Sequence, residues 1–310
     1  MDEPRKSNAR RLILIGRFRH AVLLSDTIAL YREFIDPNFL MSTSEMQMMQ
    51  QKSEPASSED DDPLFIQSLA RGMTVLEAFR QAEGPLSLAQ IAARTGLTRS
   101  AAQRLVHTFR KLGYLTLSED GRGFRLDLPI LDLTHDYLRL NPLVRRASPV
   151  LLELRRNVRE RVDLSLFDGR RMVYAARMQS KRETFFATLV GNSVPTACTS
   201  GGWAVLAMLP DAEVDALLDN HPIPQITPRT LTDPAAIRGQ IALTRENGHA
   251  LAIEQILMGE VALGVAIPDA DGRPIAAIHI AASLSEWAPE DFRRRVAPLA
   301  AEAVRSILPG

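Results

Sequence analysis

A chain of 310 residues, 45% hydrophobic and 24% charged, has the length of two ordinary domains and the composition of a folded protein, which excludes a wholly disordered or fibrous chain. Its 37 basic and 37 acidic residues cancel, so any binding of nucleic acid must come from a local basic surface. The single cysteine, Cys198, excludes an intrachain disulfide and a multi-cysteine metal site, and it suits the reducing cytoplasm.

Residues 1–62 differ in composition from the rest of the chain. A basic and apolar start gives way to Met-, Gln- and Ser-rich sequence that ends in an acidic run at 59–62. This composition predicts a disordered tail, or else a mis-annotated one if translation begins near Met41. The segment most like a membrane helix, 12–30, carries several charged side chains, and no run reaches the roughly 18 to 20 apolar residues of a span. We therefore expect no membrane association.

Residues 63–127 predict a winged helix-turn-helix, beginning with three helices. Apolar residues recur every three or four positions from Leu69 to Phe79, which indicates the first helix. Ser87 and Thr98 occupy the N-cap positions of a second and a third helix, and a glycine between these helices permits a tight turn. The inward stripe of the third helix is predicted to be Ala102, Leu105, Phe109 and Leu112, with Gly113 ending the helix.

A hairpin, the wing, is predicted after the third helix. Residues 114–117 and 124–126 alternate like short strands, and the segment between them contains Asp120-Gly121, a frequent turn pair. In a helix-turn-helix the second helix of the pair lies in the major groove of DNA, and here that is the third predicted helix.

The outward face of the third helix has the chemistry for DNA recognition. Hydroxyls and helix N-terminal amides bind phosphate, arginine binds phosphate or guanine, and glutamine pairs with adenine. The candidate DNA-contacting residues are Thr98, Arg99, Ser100, Gln103, Arg104, His107 and, at the tip of the wing, Arg122. The alternative is a domain that binds only protein, with Arg104 bracing its own helix through a salt bridge.

A linker helix and a second domain follow. Residues 128–142 predict the linker, whose helix spans 129–140 with the apolar stripe Ile130, Leu133, Tyr137 and Leu140. Residues 143–310 predict an α+β domain with a mostly antiparallel sheet flanked by helices. Its predicted helices are 143–159, 200–208, 211–218, 233–247 and 288–307, and its predicted strands are 162–167, 172–176, 184–190, 249–254, 261–267 and 274–283.

Several sequence strings, in this order, resemble the IclR-type regulators, named for the isocitrate lyase regulator. They are Gly96-Leu-Thr-Arg-Ser with Arg104-Leu105, Leu112-Gly-Tyr, Val173-Tyr-Ala-Ala-Arg, Cys198-Thr-Ser-Gly-Gly-Trp-Ala-Val-Leu-Ala and Asp271-Gly-Arg-Pro-Ile-Ala-Ala-Ile. The resemblance runs from about residue 63 to residue 308. It implies a winged helix, a linker helix, a GAF-like effector-binding domain, a homodimer or dimer of dimers, and affinity for double-stranded operator DNA that a small organic acid modulates, without a cofactor.

The resemblance also implies the residues of an effector pocket. They are Leu189, Cys198, Thr199, Ser200, Gly201, Ala252, Ala262, His279 and Ala281. The amides at the start of a helix suit a carboxylate. Where the glyoxylate-sensing pattern has an acidic residue, a thiol and two small hydroxyls, this chain has Ala252, Ala262, His279 and Ala281, so we expect a larger and more apolar pocket. The strings Cys198-Thr-Ser and Gly248-His-Ala-Leu resemble the branch of the family that regulates protocatechuate, hydroxybenzoate and related aromatic catabolism, which implies an aromatic acid or its ring-cleavage product as the effector. His279 is either the titratable donor of this pocket or a satisfied strand histidine, and Cys198 is interpreted as a small buried residue.

Two other functions are compatible with parts of the sequence, a small-molecule enzyme and a dimerising scaffold. His279, Cys198 and Glu254 suggest a nucleophile with a base, or a metal site, in a small-molecule enzyme. The sequence has no glycine-rich phosphate loop, no nucleophile-elbow motif and no metal-ligand spacing among these residues, so we expect neither an enzyme nor a metal site. A scaffold that only dimerises through the linker helix is the second alternative.

Overall fold

The computed structural model describes residues 62–80, 82–180, 190–219 and 222–308. The predicted tail, apart from Asp62, lies outside the described residues. So do Leu189 and most of the strand predicted at 184–190. In the described part of the chain, no helix is both long and apolar enough to cross a membrane.

Three helices and a two-stranded hairpin form the N-terminal part of the described chain. They are α1 (Gln67–Glu77), α2 (Leu88–Thr95), α3 (Arg99–Lys111), β1 (Leu115–Leu117) and β2 (Phe124–Leu126). Both predicted N-caps are confirmed: the Ser87 hydroxyl accepts from the Gln90 N–H, and Thr98 Oγ1 accepts from the Ala101 N–H. Gly96 ends α2 with φ 67°, in the left-handed region that glycine adopts without steric cost. Two helices joined by this short turn form a helix-turn-helix.

A small apolar core holds these helices against the hairpin. Its buried members are Val75, Ala78, Phe79, Leu86, Ile91, Ala102, Val106 and Leu115, with Leu105 and Phe109 partly buried against them. The prediction that Leu112 faces inward was wrong, because its side chain is 61% exposed. Leu112 is the C-cap of α3, and its N–H still donates to the Thr108 carbonyl at 2.9 Å, so helical geometry places it at the edge of the inward stripe. Val106, one helical turn after Ala102, takes the inward position instead.

The predicted linker helix is confirmed as α4 (Pro129–Leu140), and α5 (Pro142–Val158) follows it. Helix α4 buries none of its residues, whereas α5 buries six. Asn141 separates the two helices: its Oδ1 accepts from the N–H groups of Leu143 and Val144, at 3.0 and 3.1 Å. Asn141 therefore caps α5 directly where α4 ends.

The C-terminal part is an α+β domain built on a six-stranded sheet. Its strands are β3 (Arg161–Asp168), β4 (Arg171–Met178), β5 (Ser193–Pro195), β6 (Ala250–Ile253), β7 (Glu260–Pro268) and β8 (Pro274–Ser283). The spatial order is β5-β4-β3-β8-β7-β6, and every described pair is antiparallel, as predicted. The short edge strand β5 was missed, since three residues are too few to display a period of two.

Helices cover both faces of the sheet. They are α6 (Ser200–Ala207), α7 (Asp211–Asp219), α8 (Pro234–Asn247) and α9 (Pro289–Ile307), each within one or two residues of its predicted bounds. One face packs on α5 and α9 around apolar residues such as Leu164, Leu263 and Ile278. The other face packs on α6 and α8 around Trp203, Ile237 and other apolar residues. We call this second side the α6 face.

Candidate DNA-binding surface and ligand pocket

The residues predicted to contact DNA lie together on one exposed surface of α3 and its cap. Thr98, Arg99, Ser100, Gln103, Arg104 and His107 are all exposed. Ala102 and Val106 of the same helix point into the core, so helical geometry turns the polar residues outward together. Within the described residues neither Arg99 nor Arg104 forms an ion pair, which removes the support for Arg104 as a brace.

The wing holds Arg122, the remaining predicted DNA contact. Arg122 is exposed in the turn between β1 and β2, and Phe124 of β2 packs partly buried on the domain core. The Arg110 guanidinium at the end of α3 lies 5.9 Å from the centre of the Phe124 ring. This contact connects the end of α3 to strand β2 of the wing.

The start of α6 is packed tightly against the sheet. Thr199 Oγ1 accepts from the Gly202 N–H at 2.8 Å and caps the helix. A Cβ on Gly264 of β7 would lie 2.3 Å from the carbonyl carbon and oxygen of Ser200, and one on Gly201 would lie 2.2 Å from the His279 ring. Only glycines allow this approach of helix to sheet.

Ser200 is buried at the first turn of α6 and is 1% exposed. Its Oγ forms no hydrogen bond within the described residues. A buried hydroxyl without a partner is costly, and a bound ligand, ion or water can supply that partner. The first turn of a helix also offers positive dipole and N–H donors to an anion. This end of α6 is therefore suited to a carboxylate.

A row of three alanines lies beside this helix start. In the register of the sheet Ala252 is opposite Ala262, Ala262 is opposite Ala281, and Ala281 is opposite Arg161. Side chains of directly opposed residues share one face. The row stands two residues along each strand from Gly264 and His279, about 7 Å away. It forms an apolar strip on the α6 face, with the Arg161 guanidinium at one end.

His279 lies under the start of α6 rather than beside it. Its side chain is 4% exposed, its Nε2 is 2.5 Å from Ser165 Oγ, and its ring centre is 5.6 Å from that of Tyr174. Burial lowers the pKa of His279 to about 4, so the imidazole is neutral at pH 7. The geometry favours the interpretation of a satisfied strand histidine that supports the Gly201 backbone.

A buried group of charges, which the sequence analysis missed, lies at the Arg161 end of the alanine row. Asp163 is fully buried and accepts from Arg161 Nε at 3.0 Å and Arg177 Nε at 2.7 Å, while Arg161 also pairs with Glu260 at 2.8 Å. Burial raises the pKa of Glu260, and Arg161 opposes that rise. The signal was available: alternation along β3 puts Arg161, Asp163 and Ser165 on a single face.

His279, Cys198 and Glu254 are the residues that suggested an enzyme. No described hydrogen bond joins any two of them. Cys198 Sγ donates to the Pro224 carbonyl at 3.8 Å, and Glu254 accepts from the Gly259 N–H. Burial raises the pKa of the Cys198 thiol to about 12, which keeps it protonated and unreactive at pH 7. Within the described residues no group of three or more His, Cys, Asp or Glu side chains could hold a metal ion.

Comparison with known proteins places most of the described chain in one family. The family model of the IclR helix-turn-helix domain matches residues 68–118, and that of the bacterial transcriptional regulator IclR C-terminal domain matches residues 135–308. The chain is 32% identical over 247 residues to the Pca regulon regulatory protein of Pseudomonas putida, covering 79% of this chain and 84% of that one.

Of two further relatives, one is named for p-hydroxybenzoate hydroxylase and the other has a solved structure with 4-hydroxybenzoate bound. The p-hydroxybenzoate hydroxylase transcriptional activator of Acinetobacter baylyi is 29% identical over 253 residues, covering 80% of this chain and 91% of its own. The structure of an IclR homologue from Microbacterium hydrocarbonoxydans, complexed with 4-hydroxybenzoate, aligns with TM-score 0.64 and 26% identity, covering 77% of this chain and 97% of that one. These families are regulators, not enzymes, and the chain belongs to the IclR family of DNA-binding bacterial transcriptional regulators.

Proposed function

We propose that the chain regulates transcription by placing α3 in the major groove of an operator, with Thr98, Arg99, Ser100, Gln103, Arg104 and His107 facing the DNA and Arg122 reaching its backbone from the wing. The observation that carries this proposal is the exposed polar surface of α3, with two arginines that form no ion pair within the described residues. Bacterial DNA lies in the cytoplasm, which is where we place the protein.

We further propose that the DNA-bound form is a homodimer or a dimer of dimers. Helix α4 exposes Leu131, Leu133, Tyr137 and Leu140 to at least 56% each, and it buries none of its residues. Apolar surface of this extent on a regular helix is typical of a protein interface. A second copy of α4 is its proposed partner. The two winged helices of a symmetric dimer would then read half-sites about one helical turn apart, or a multiple of it.

The proposed effector is a small organic acid of the aromatic class or its ring-cleavage product. Its carboxylate would bind the start of α6 through the amides there and the hydroxyl of Ser200, whose Oγ has no described partner. Its ring or chain would lie on the alanine row, which offers an apolar surface. The regulators of the pca and p-hydroxybenzoate systems among the relatives, and the homologue complexed with 4-hydroxybenzoate, support this class.

Operator binding by Arg99→Ala tests the DNA part of the proposal. Arg99 is exposed at the first turn of α3, where it can contact either a base edge or a phosphate. We expect the variant to lose about 1 to 3 kcal/mol of binding free energy, roughly 5- to 150-fold in Kd. The measurement is fluorescence anisotropy of labelled operator duplex at constant salt.

Arg295→Ala is the matched control, because Arg295 is an exposed arginine of α9 in the other domain. It removes the same charge and should leave the operator Kd within about twofold, the scatter expected of surface changes. Equal operator binding by Arg99→Ala and the wild type would contradict the proposed placement of α3.

A further inference from the structure

The turn of the wing, residues 118–123, is closed by side-chain hydrogen bonds. Ser118 is 8% exposed, and its Oγ lies 2.6 Å from Asp120 Oδ1 and 3.0 Å from the Gly123 carbonyl oxygen, so the hydroxyl can donate to either. The same Oγ accepts from the Gly123 N–H at 2.9 Å. Asp120 Oδ1 also accepts from the Arg122 N–H at 3.1 Å. The backbone on both sides of Arg122 is therefore tied to Ser118, directly or through Asp120.

The closed turn is also attached to the body of the domain. A Cβ on Gly123 would lie 2.9 Å from Pro85 Cβ, so the turn rests directly on this proline. Immediately beyond it, Leu86 and Phe124 exchange two backbone hydrogen bonds, at 2.9 and 2.8 Å. The turn consequently has a defined position relative to the helix-turn-helix, although it is an exposed surface loop.

Asp120 is an unexpected residue at the tip of a wing that approaches DNA. Its exposed carboxylate is repelled by phosphates, and the Ser118 hydroxyl and the Arg122 N–H lower its pKa, which keeps it ionised. A carboxylate in this place has no attractive partner on the phosphate backbone of DNA. Its hydrogen bonds to the Ser118 hydroxyl and the Arg122 N–H instead hold the turn closed.

We propose that Ser118 and Asp120 are positioning residues that hold the Arg122 backbone so that its guanidinium meets the DNA backbone at the edge of the operator. The inference rests on the proposed contact between Arg122 and DNA. An arginine on a mobile loop loses conformational freedom when it binds, whereas one on a closed turn loses less. Removal of the Ser118 hydroxyl should weaken DNA binding only through Arg122.

A double-mutant cycle on the full chain separates this role from simple support of the fold. Operator affinity is measured by anisotropy over a range of salt concentrations for the wild type, Ser118→Ala, Arg122→Ala and the double variant. Arg122→Ala should weaken binding about twofold to fivefold, as expected for one exposed ion pair. It should also reduce the slope of log K against log salt by about 1. Ser118→Ala should weaken binding to a similar or smaller extent.

The result we expect is that the double variant binds as Arg122→Ala does, because Ser118 acts through Arg122. Additive losses would overturn the proposal and leave Ser118 with a structural role alone. If Arg122→Ala binds as the wild type does, the proposed DNA contact of Arg122 is wrong, and with it the positioning role, while the contacts of α3 are untouched. Asp120→Asn keeps the Oδ1 acceptor and should retain wild-type affinity or exceed it, whereas a loss would count against the role of Asp120. Should Ser118→Ala not fold, Asp120→Ala replaces it in the same cycle, with Asp120→Asn in place of the wild type as its reference, because both variants lack the charge that phosphates repel.

Discussion

Gly264→Ala should destabilise the C-terminal domain. The same substitution should abolish the proposed ligand site. The added methyl group would lie 2.3 Å from the carbonyl carbon and oxygen of Ser200, which are backbone atoms that no side-chain rotation can move. Relief requires the start of α6 to lift from the sheet. We expect a loss on the order of 3 kcal/mol in the free energy of unfolding, the upper part of the usual range for overpacking. Thermal unfolding should show it as a fall of about 6 to 12 °C in Tm.

Gly239→Ala is the matched control for this substitution. Gly239 lies inside α8, its added Cβ would meet nothing within 4 Å, and its φ is compatible with alanine. Alanine is about 1 kcal/mol more favourable than glycine in a helix interior, so this variant should be as stable as the wild type or more so. A Gly264→Ala protein that unfolds at the wild-type temperature would contradict the close contact between α6 and β7.

Asp163→Asn should cost more stability than any change at a surface ion pair. Asp163 is fully buried between Arg161 and Arg177, and asparagine keeps its shape while removing its charge. Arg161 retains Glu260, but both guanidinium groups lose the carboxylate that they share. Breaking a buried ion pair on one side typically costs about 3 to 5 kcal/mol, because a buried charge is left uncompensated. Chemical denaturation followed by circular dichroism measures the loss.

The control for this variant is Asp136→Asn on α4. Asp136 pairs with Arg139 at 2.9 Å, but both side chains are more than half exposed. An exposed pair contributes about 0 to 1 kcal/mol, so its loss should be small. Equal effects of Asp163→Asn and Asp136→Asn would show that the buried charges contribute little to stability.

Elements with strong local signals could be predicted from the sequence. The caps at Ser87 and Thr98 and the spacing of apolar residues gave α2 and α3 almost to the residue. The alternating strands 261–267 and 274–283 gave the pair β7 and β8. In each case a short-range property indicates the element. For the helix starts it is a hydrogen bond from a nearby backbone N–H, and within the helices and strands it is the spacing of apolar residues, every 3.6 or every second residue.

The features that were missed depend on contacts between distant segments. Leu112 continues the helical period of apolar residues, but as the C-cap of α3 it is 61% exposed. The cluster around Asp163 depends on Glu260, almost a hundred residues away, and on the register between β3 and β4. Burial of His279 depends on Gly201, which allows α6 to cover its ring.

Coupling between ligand and DNA requires that the acid binds one arrangement of the chain better than another. In the proposed site the effector contacts the start of α6 and the alanine row, so it can change how tightly α6 packs on β7. The ligand-sensitive contact that follows from this proposal is the one between the start of α6 and Gly264. The residues proposed to contact DNA lie outside that contact, on α3 and the wing.

The most direct test of the account is operator binding by the full chain in the presence of three sets of acids, with Ser200→Ala beside the wild type. The sets are hydroxylated benzoates, dicarboxylic ring-cleavage products, and the short acids glyoxylate and pyruvate. We predict that an acid of the first two sets changes the operator Kd of the wild type. Ser200→Ala should bind operator normally without ligand, since it only removes a hydroxyl that has no described partner, and should lose most of the response. A response to glyoxylate or pyruvate alone, or an equal response in Ser200→Ala, would contradict the proposed ligand site.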